Sequence, residues 1–354
     1  MKQHLWFAVW VISACTLWGN EFEPFSAGRI AVSGNETRLA VASDDMHIRV
    51  WDLGSRKLIH DISVAQPGWS VALDQSGEKL AIGTDGTRES ANEYKRSRIS
   101  LWDIRAATPA LLWEKQVIGG CQAIAFAPSE KWLAAICTYS RLCFLDVENG
   151  SLLKVLTEDG NGYWDLAITD DEKMVVTAGQ FTRFWNIENG INAKTTLEED
   201  HWITSEESEK HQKLKAWSGG ISVAISSQGD RAYVLGFFHG NSGRAEDCAE
   251  FNLRMEGVPR IVAASINKDD SRPTSLALSH DDKTLAFGMS DGRIELRNTA
   301  GEIVGEMKLP NPAPIRDLKF LNQSKELVVV TMNGAEVHIM NMETKSPQER
   351  LLPQ

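Results

Sequence analysis

The chain has 354 residues, 42% apolar and 24% charged, with 12 Trp and 27 Gly against 11 Pro. That balance excludes disordered, collagen-like and coiled-coil chains, and it favours many short strands joined by tight turns over a helical bundle. The net charge of −11 would repel a phosphate backbone, so nucleic acid is not expected as a partner.

Residues 1–14 carry one Lys, an apolar run from Leu5 to Ile12 and then the small residues Ser13 and Ala14 before Cys15. Positive, apolar, small is the order of a secretory signal, and the run is too short to cross about 30 Å of hydrocarbon as a helix. Ile12-Ser13-Ala14-Cys15 resembles the lipobox of bacterial lipoproteins. It implies cleavage before Cys15, lipidation of that residue, and an exported chain anchored on the periplasmic or cell-surface side. Residues 15–27 then form a tether or take part in closing the fold. The alternative, in which residues 1–17 are an outer strand, places the chain in the cytoplasm.

From residue 28 to the end one pattern recurs with a period near 40: an apolar strand, a polar turn, a second apolar strand, then a strand ending in a fixed dipeptide. The dipeptides are Trp51-Asp52, Trp102-Asp103, Leu145-Asp146, Trp185-Asn186, Phe251-Asn252, Arg297-Asn298 and Met340-Asn341. A seven-residue offset separates Val32 from Leu39, Leu73 from Leu80, Phe126 from Leu133, Ile168 from Val175, Leu278 from Leu285 and Phe320 from Leu327. Only the fifth repeat, around Ile225, is blurred. Turn formers such as Ser76-Gly77 and Asp281-Asp282 fill the gap, so each unit is an antiparallel meander. The last repeat has its own outer strand near residues 348–352.

These seven units resemble the WD-repeat family, whose repeats end in Trp-Asp. The resemblance implies one all-β domain over 28–354, a seven-bladed β-propeller of four-stranded antiparallel blades. Trp-Asp itself occurs only twice and the opening Gly-His pair is missing. The family's Asp-His-Ser-Trp hydrogen-bond network is therefore not carried over.

In a meander a-b-c-d, the a–b and c–d turns lie at one end of the blade. The b–c turn and the d–a connection lie at the other. The long segments 86–98, 198–219 and 239–247 all belong to the second end, and repeat proteins place binding insertions on one face. The start of each first strand lies there too, which makes Trp69, Gln122, Trp164, Thr274 and Arg316, with Trp217 closing the long insertion 198–219, the candidate partner-binding residues. Trp and Arg dominate binding energy at protein interfaces.

No nucleophile elbow, P-loop or zincin motif occurs, and His201 and His211 match no ligand spacing, so neither metal nor cofactor is expected. Cys137 and Cys143 flank a short turn and could face each other, but buried free thiols are the preferred reading of Cys121, Cys137, Cys143 and Cys248. The sequence thus points to a noncatalytic protein-binding scaffold held at a membrane by a lipid. Two alternatives are an exported propeller enzyme of lactonase or quinoprotein type with a central-channel site, and a cytoplasmic WD-repeat adaptor.

Overall fold

The computed structural model describes residues 30–351 apart from 86–87, 91–92, 95, 138–140, 158–161, 180–181, 188–195, 198–216, 241–242, 255–258, 264–265, 267–270, 322–324 and 333–335. Seven four-stranded antiparallel sheets follow one another along the chain, spanning 30–63, 68–118, 121–157, 163–197, 217–263, 273–308 and 315–351. Within each blade the strands a to d are paired in that order. Each inner strand a touches the next, and the last touches the first, so the ring is closed. Among the described residues there is no helix.

The seven-residue offset is the register of the a–b hairpin. Val32 pairs with Leu39, Leu73 with Leu80, Phe126 with Leu133, Ile168 with Val175, Leu278 with Leu285 and Phe320 with Leu327. The fifth repeat obeys the same rule through Ile225 and Ala232, where a small residue replaces the usual large aliphatic. A recurrent turn sets the offset. The fourth residue after each reference position has positive φ in the first six blades: Glu36, Gly77, Glu130, Glu172, Gly229 and Asp282. Its N–H donates to the carbonyl three residues back, as from Glu130 to Ala127 at 2.8 Å.

Glycine would be the default at a left-handed position, yet four of the six residues are acids. Three of these side chains have a second task. Glu130 accepts from the N–H of Gln75 in the preceding blade at 2.6 Å. Glu172 accepts from Ser129 N–H, and Asp282 from Ser227 N–H at 2.9 Å. Asn35 donates to the carbonyl of Ser76 at 2.8 Å. The a–b turns are therefore tied to their neighbours.

The strand-ending dipeptides stand at equivalent places in strand c, as in Leu39 opposite Trp51, Leu133 opposite Leu145 and Leu327 opposite Met340. Asp or Asn closes the dipeptide because its short side chain accepts from the c–d turn: Asp52 from Ser55 at 2.7 Å, Asp146 from Glu148 at 2.9 Å, Asn341 from Glu343 at 2.8 Å. Apolar side chains form seven clusters, each between two adjacent blades. The cluster at the seam joins Ile30, Leu39 and Trp51 to Val328, Val330 and Ile339. Blade 7 has its own outer strand, Ser346–Leu351, so no strand is exchanged between the first and last blades.

Candidate functional site

Strand a of blades 2 to 7 carries a β-bulge at the same position. In blade 2 Gly68 pairs with Thr84 and Ser70 with Gly83, leaving Trp69 without a ladder partner. The residues skipped in the same way are Gln122, Trp164, Ile221, Thr274 and Arg316. A bulge breaks the in-out alternation and re-aims the side chain of the extra residue. Five of the residues expected from strand-start spacing are thus bulge residues, and Ile221 completes the set. Trp217 lies on strand Trp217–Ile225, paired with Phe238, and its side chain is outside the described residues.

The bulge residues differ in how much they are covered. Trp69 and Trp164 are half-buried, whereas Gln122, Ile221, Thr274 and Arg316 are buried. The Thr274 hydroxyl lies 2.9 Å from the Gly288 carbonyl and 2.5 Å from that of Ile315, which bridges blades 6 and 7. Nη1 of Arg316 lies 3.5 Å from the sulfur of Met332. Oε1 of Gln122 is buried with no hydrogen-bond partner. The two tryptophans are the bulge residues that keep substantial contact with solvent.

Two of the three long segments contain paired strands. In blade 5 the b and c strands run Arg231–Gly240 and Gly243–Asn252, paired out to Gly240 opposite Gly243. Most of 239–247 is therefore ladder, and four residues of strand b extend past the level where the other blades end. At 3.3 Å per residue the hairpin projects about 13 Å. In blade 2 a short hairpin, Arg88–Ser90 with Glu93–Tyr94, occupies part of 86–98, and Arg96 already pairs with Ile118. Both projections lie at the bulge end of their blades, three blades apart in the ring. Of segment 198–219, only the backbone of 217–219 lies within the described residues.

A cavity of about 390 Å³ runs along the inner strands of blades 1 to 4 and 7, towards the a–b turn of blade 1. Ala31, Ala72 and Ala125 line it, together with Asp165 and Lys319. Oδ2 of Asp165 accepts from Val223 N–H at 2.8 Å and from the Ser222 hydroxyl at 3.0 Å, both in blade 5. Burial pushes its carboxyl up to about 6, while Lys319 and the Val223 N–H pull the other way. Asp317, at the equivalent place in blade 7, accepts from Ile30 N–H at 3.1 Å and from Leu318 N–H at 2.8 Å. These two carboxylates brace one blade against the next. Among the described residues, no group of three or more His, Cys, Asp or Glu is arranged to hold a metal ion.

Residues 27–52, a stretch that includes strands a to c of the first blade, match the WD40 family model described as "WD domain, G-beta repeat". No curated protein matches the chain. Among solved structures, a chain of Kuenenia stuttgartiensis Hydrazine Synthase superposes with a TM-score of 0.69 and 12% sequence identity, covering 92% of this chain and 98% of that one. That likeness is one of fold. The resemblance to WD-repeat propellers is met by the family model over one repeat and by seven four-stranded blades over the ring.

Proposed function

We propose that the protein is a noncatalytic protein-interaction scaffold that binds its partner through the face bearing the d–a connections and b–c turns. The observation that supports this reading is the ring of bulges. Six blades place a residue outside the ladder at one level, two of these residues are half-exposed tryptophans, and the hairpins of blades 2 and 5 rise beside them. The opposite face favours a structural role, because its turns are short, uniform and cross-bonded. The reading extends to the amino terminus, which lies outside the described residues: a signal removed before Cys15, a lipid on Cys15, and a membrane-held, exported protein. One acyl chain binds membranes only marginally, so the anchor carries more than one.

The test has two arms. Intact mass of the membrane fraction reads cleavage and lipid together, and Cys15→Ser should release the protein into the soluble fraction. Identical partition of the native and substituted proteins would refute the lipoprotein reading. Once a partner is identified by crosslinking, hydrogen exchange should show protection at Trp69, Trp164 and the blade 5 hairpin. A footprint confined to the a–b turns would refute the face.

An enzyme with a channel site is the second reading, and the cavity holding Asp165 and Lys319 is what favours it. It ranks below the first because the Asp165 carboxylate is already bound by Val223 and Ser222.

A further inference from the structure

The residue just before the a–b reference position is Ala31, Ala72, Ala125, Ala167, Ala224 and Ala277 in the first six blades, and Lys319 in the seventh. The ladder makes these places equivalent: Ala31 stands opposite Ala40, Ala277 opposite Ala286 and Lys319 opposite Val328. Seven inner strands converge on the channel, and six of them set a methyl group at this level. A long cation stands where the seventh methyl would be.

Lys319, Ala31, Ala72 and Ala125 line the same cavity of about 390 Å³. Lys319 is exposed, so water reaches its side chain, and among the described residues it forms no ion pair and no side-chain hydrogen bond. An ammonium carries three donors and no acceptor. The nearby carboxylates are committed elsewhere. Asp165 accepts from Leu166 N–H at 2.9 Å with Oδ1 and from Val223 and Ser222 with Oδ2. Both oxygens of Asp317 are likewise taken, by Leu318 and Ile30. Lys319 therefore acts on Asp165 through its field alone and keeps its donors. The other acid of the lining, Glu36, stands at the mouth on the blade 1 turn.

A free cation between methyl groups calls for an anion with an apolar body, because ligand sites join apolar walls to a few polar groups that fix orientation. The space is ample, since a cavity of about 150 Å³ already holds benzene. Glu36 and Asp165 disfavour a multiply charged ligand such as phosphate, which would also leave the methyl walls unused. We propose that the a–b end of the channel binds a small organic monocarboxylate, with its carboxylate on the Lys319 ammonium and its hydrocarbon body against the alanines. No bond forms or breaks in this step. The site lies at the opposite end of the channel from the bulge residues, and it requires neither the scaffold reading nor the enzyme reading.

The test is isothermal titration of the full chain with benzoate at fixed ionic strength. Benzoate should saturate a single site per chain, and benzamide, which has nearly the same shape and no charge, should bind at least about tenfold more weakly. Lys319→Gln should weaken benzoate by at least about tenfold, the loss expected for a hydrogen bond to a charged group, and Lys319→Arg should retain most of the affinity. Lys319 is exposed and makes no bond, so both variants should keep the native circular dichroism spectrum and unfolding temperature. Ala125→Leu grows into the cavity from its wall and should abolish binding with Lys319 intact. If that variant fails to fold, the two Lys319 variants decide the matter. No binding of benzoate to the native protein, equal binding of benzamide, unchanged affinity in Lys319→Gln, or displacement of benzoate by an equal concentration of inorganic phosphate would each overturn the proposal.

Discussion

The backbone N–H of Ile30 donates to Oδ2 of Asp317 at 3.1 Å, a bond between residues 287 positions apart in the sequence that joins the first inner strand to the last. It repeats the geometry by which Asp165 receives Val223. Asp317 is buried, as is Glu326, which pairs with Arg56 across the same seam at 2.6 Å. The seam is held by polar as well as apolar contacts.

Asp317→Ala leaves the Ile30 N–H unpaired in a buried place, which should cost about 1–3 kcal/mol. Asp317→Asn keeps an acceptor and should cost less. Urea denaturation of both variants checks the order, and equal losses would show that the bond contributes nothing beyond side-chain volume.

Asp165 makes one blade interface sensitive to pH. Its folded pKa of about 6 lies above the ordinary 3.8, so the folded state binds the proton more tightly than the unfolded state. The stability this contributes is fully present below about pH 4 and is lost as pH rises through 6, a change on the order of 3 kcal/mol. Carboxylates with lowered values, such as Asp45 and Asp52, act in the opposite sense, with stability lost as pH falls below their unfolded values. The difference between the native protein and Asp165→Asn isolates the Asp165 contribution. The variant should show a flatter stability profile between pH 4 and 7, measured by thermal or urea unfolding across that range.

Trp69→Ala and Trp164→Ala should each cost about 2 kcal/mol or more in partner affinity. Thr274→Val should behave differently. It removes a hydroxyl that bridges two carbonyls, so stability should fall by about 1–3 kcal/mol with affinity unchanged once folding is corrected for. Calorimetric binding and denaturant curves on the same samples separate the two effects. A Trp variant that loses stability but not affinity would move that tryptophan from the interface to the blade contact.

The projecting hairpin of blade 5 can be cut back. Replacing 238–245 with Asn-Gly joins Phe237 to Glu246 through a two-residue turn suited to a tight hairpin. The ring lies below the cut, so the unfolding temperature should hardly change, while partner binding should weaken. Unchanged binding would exclude the projection from the interface.

Much of this architecture is legible in the residues themselves. The seven-residue offset is readable because a single turn geometry recurs, and the strand-ending dipeptides because Asp or Asn caps the turn that follows. The fifth repeat blurs because Ala232 stands where other blades have a large aliphatic, although its register is unaltered. Bulges are harder to read. Strand-start spacing finds Trp69, Gln122, Trp164, Thr274 and Arg316, but pairing alone reveals that they stand outside the ladder, and Ile221 passes as an ordinary core residue. The ties between a–b turns have a signal that spacing could have found: Glu130, Glu172 and Asp282 recur where glycine is expected. Contacts between blades depend on how sheets stack, which no local pattern encodes. Hence Thr274 reads as a surface residue and lies buried.

Because every blade is one contiguous stretch of chain, the junction between blades 7 and 1 is a non-covalent version of the other six. The ring has no built-in beginning. A circularly permuted gene that links residue 351 to residue 30 and opens the chain at another junction, such as between Ile118 and Cys121, should encode the same seven blades. In such a molecule the 287-residue closure becomes a local contact, and the last step of assembly moves to wherever the new break is made.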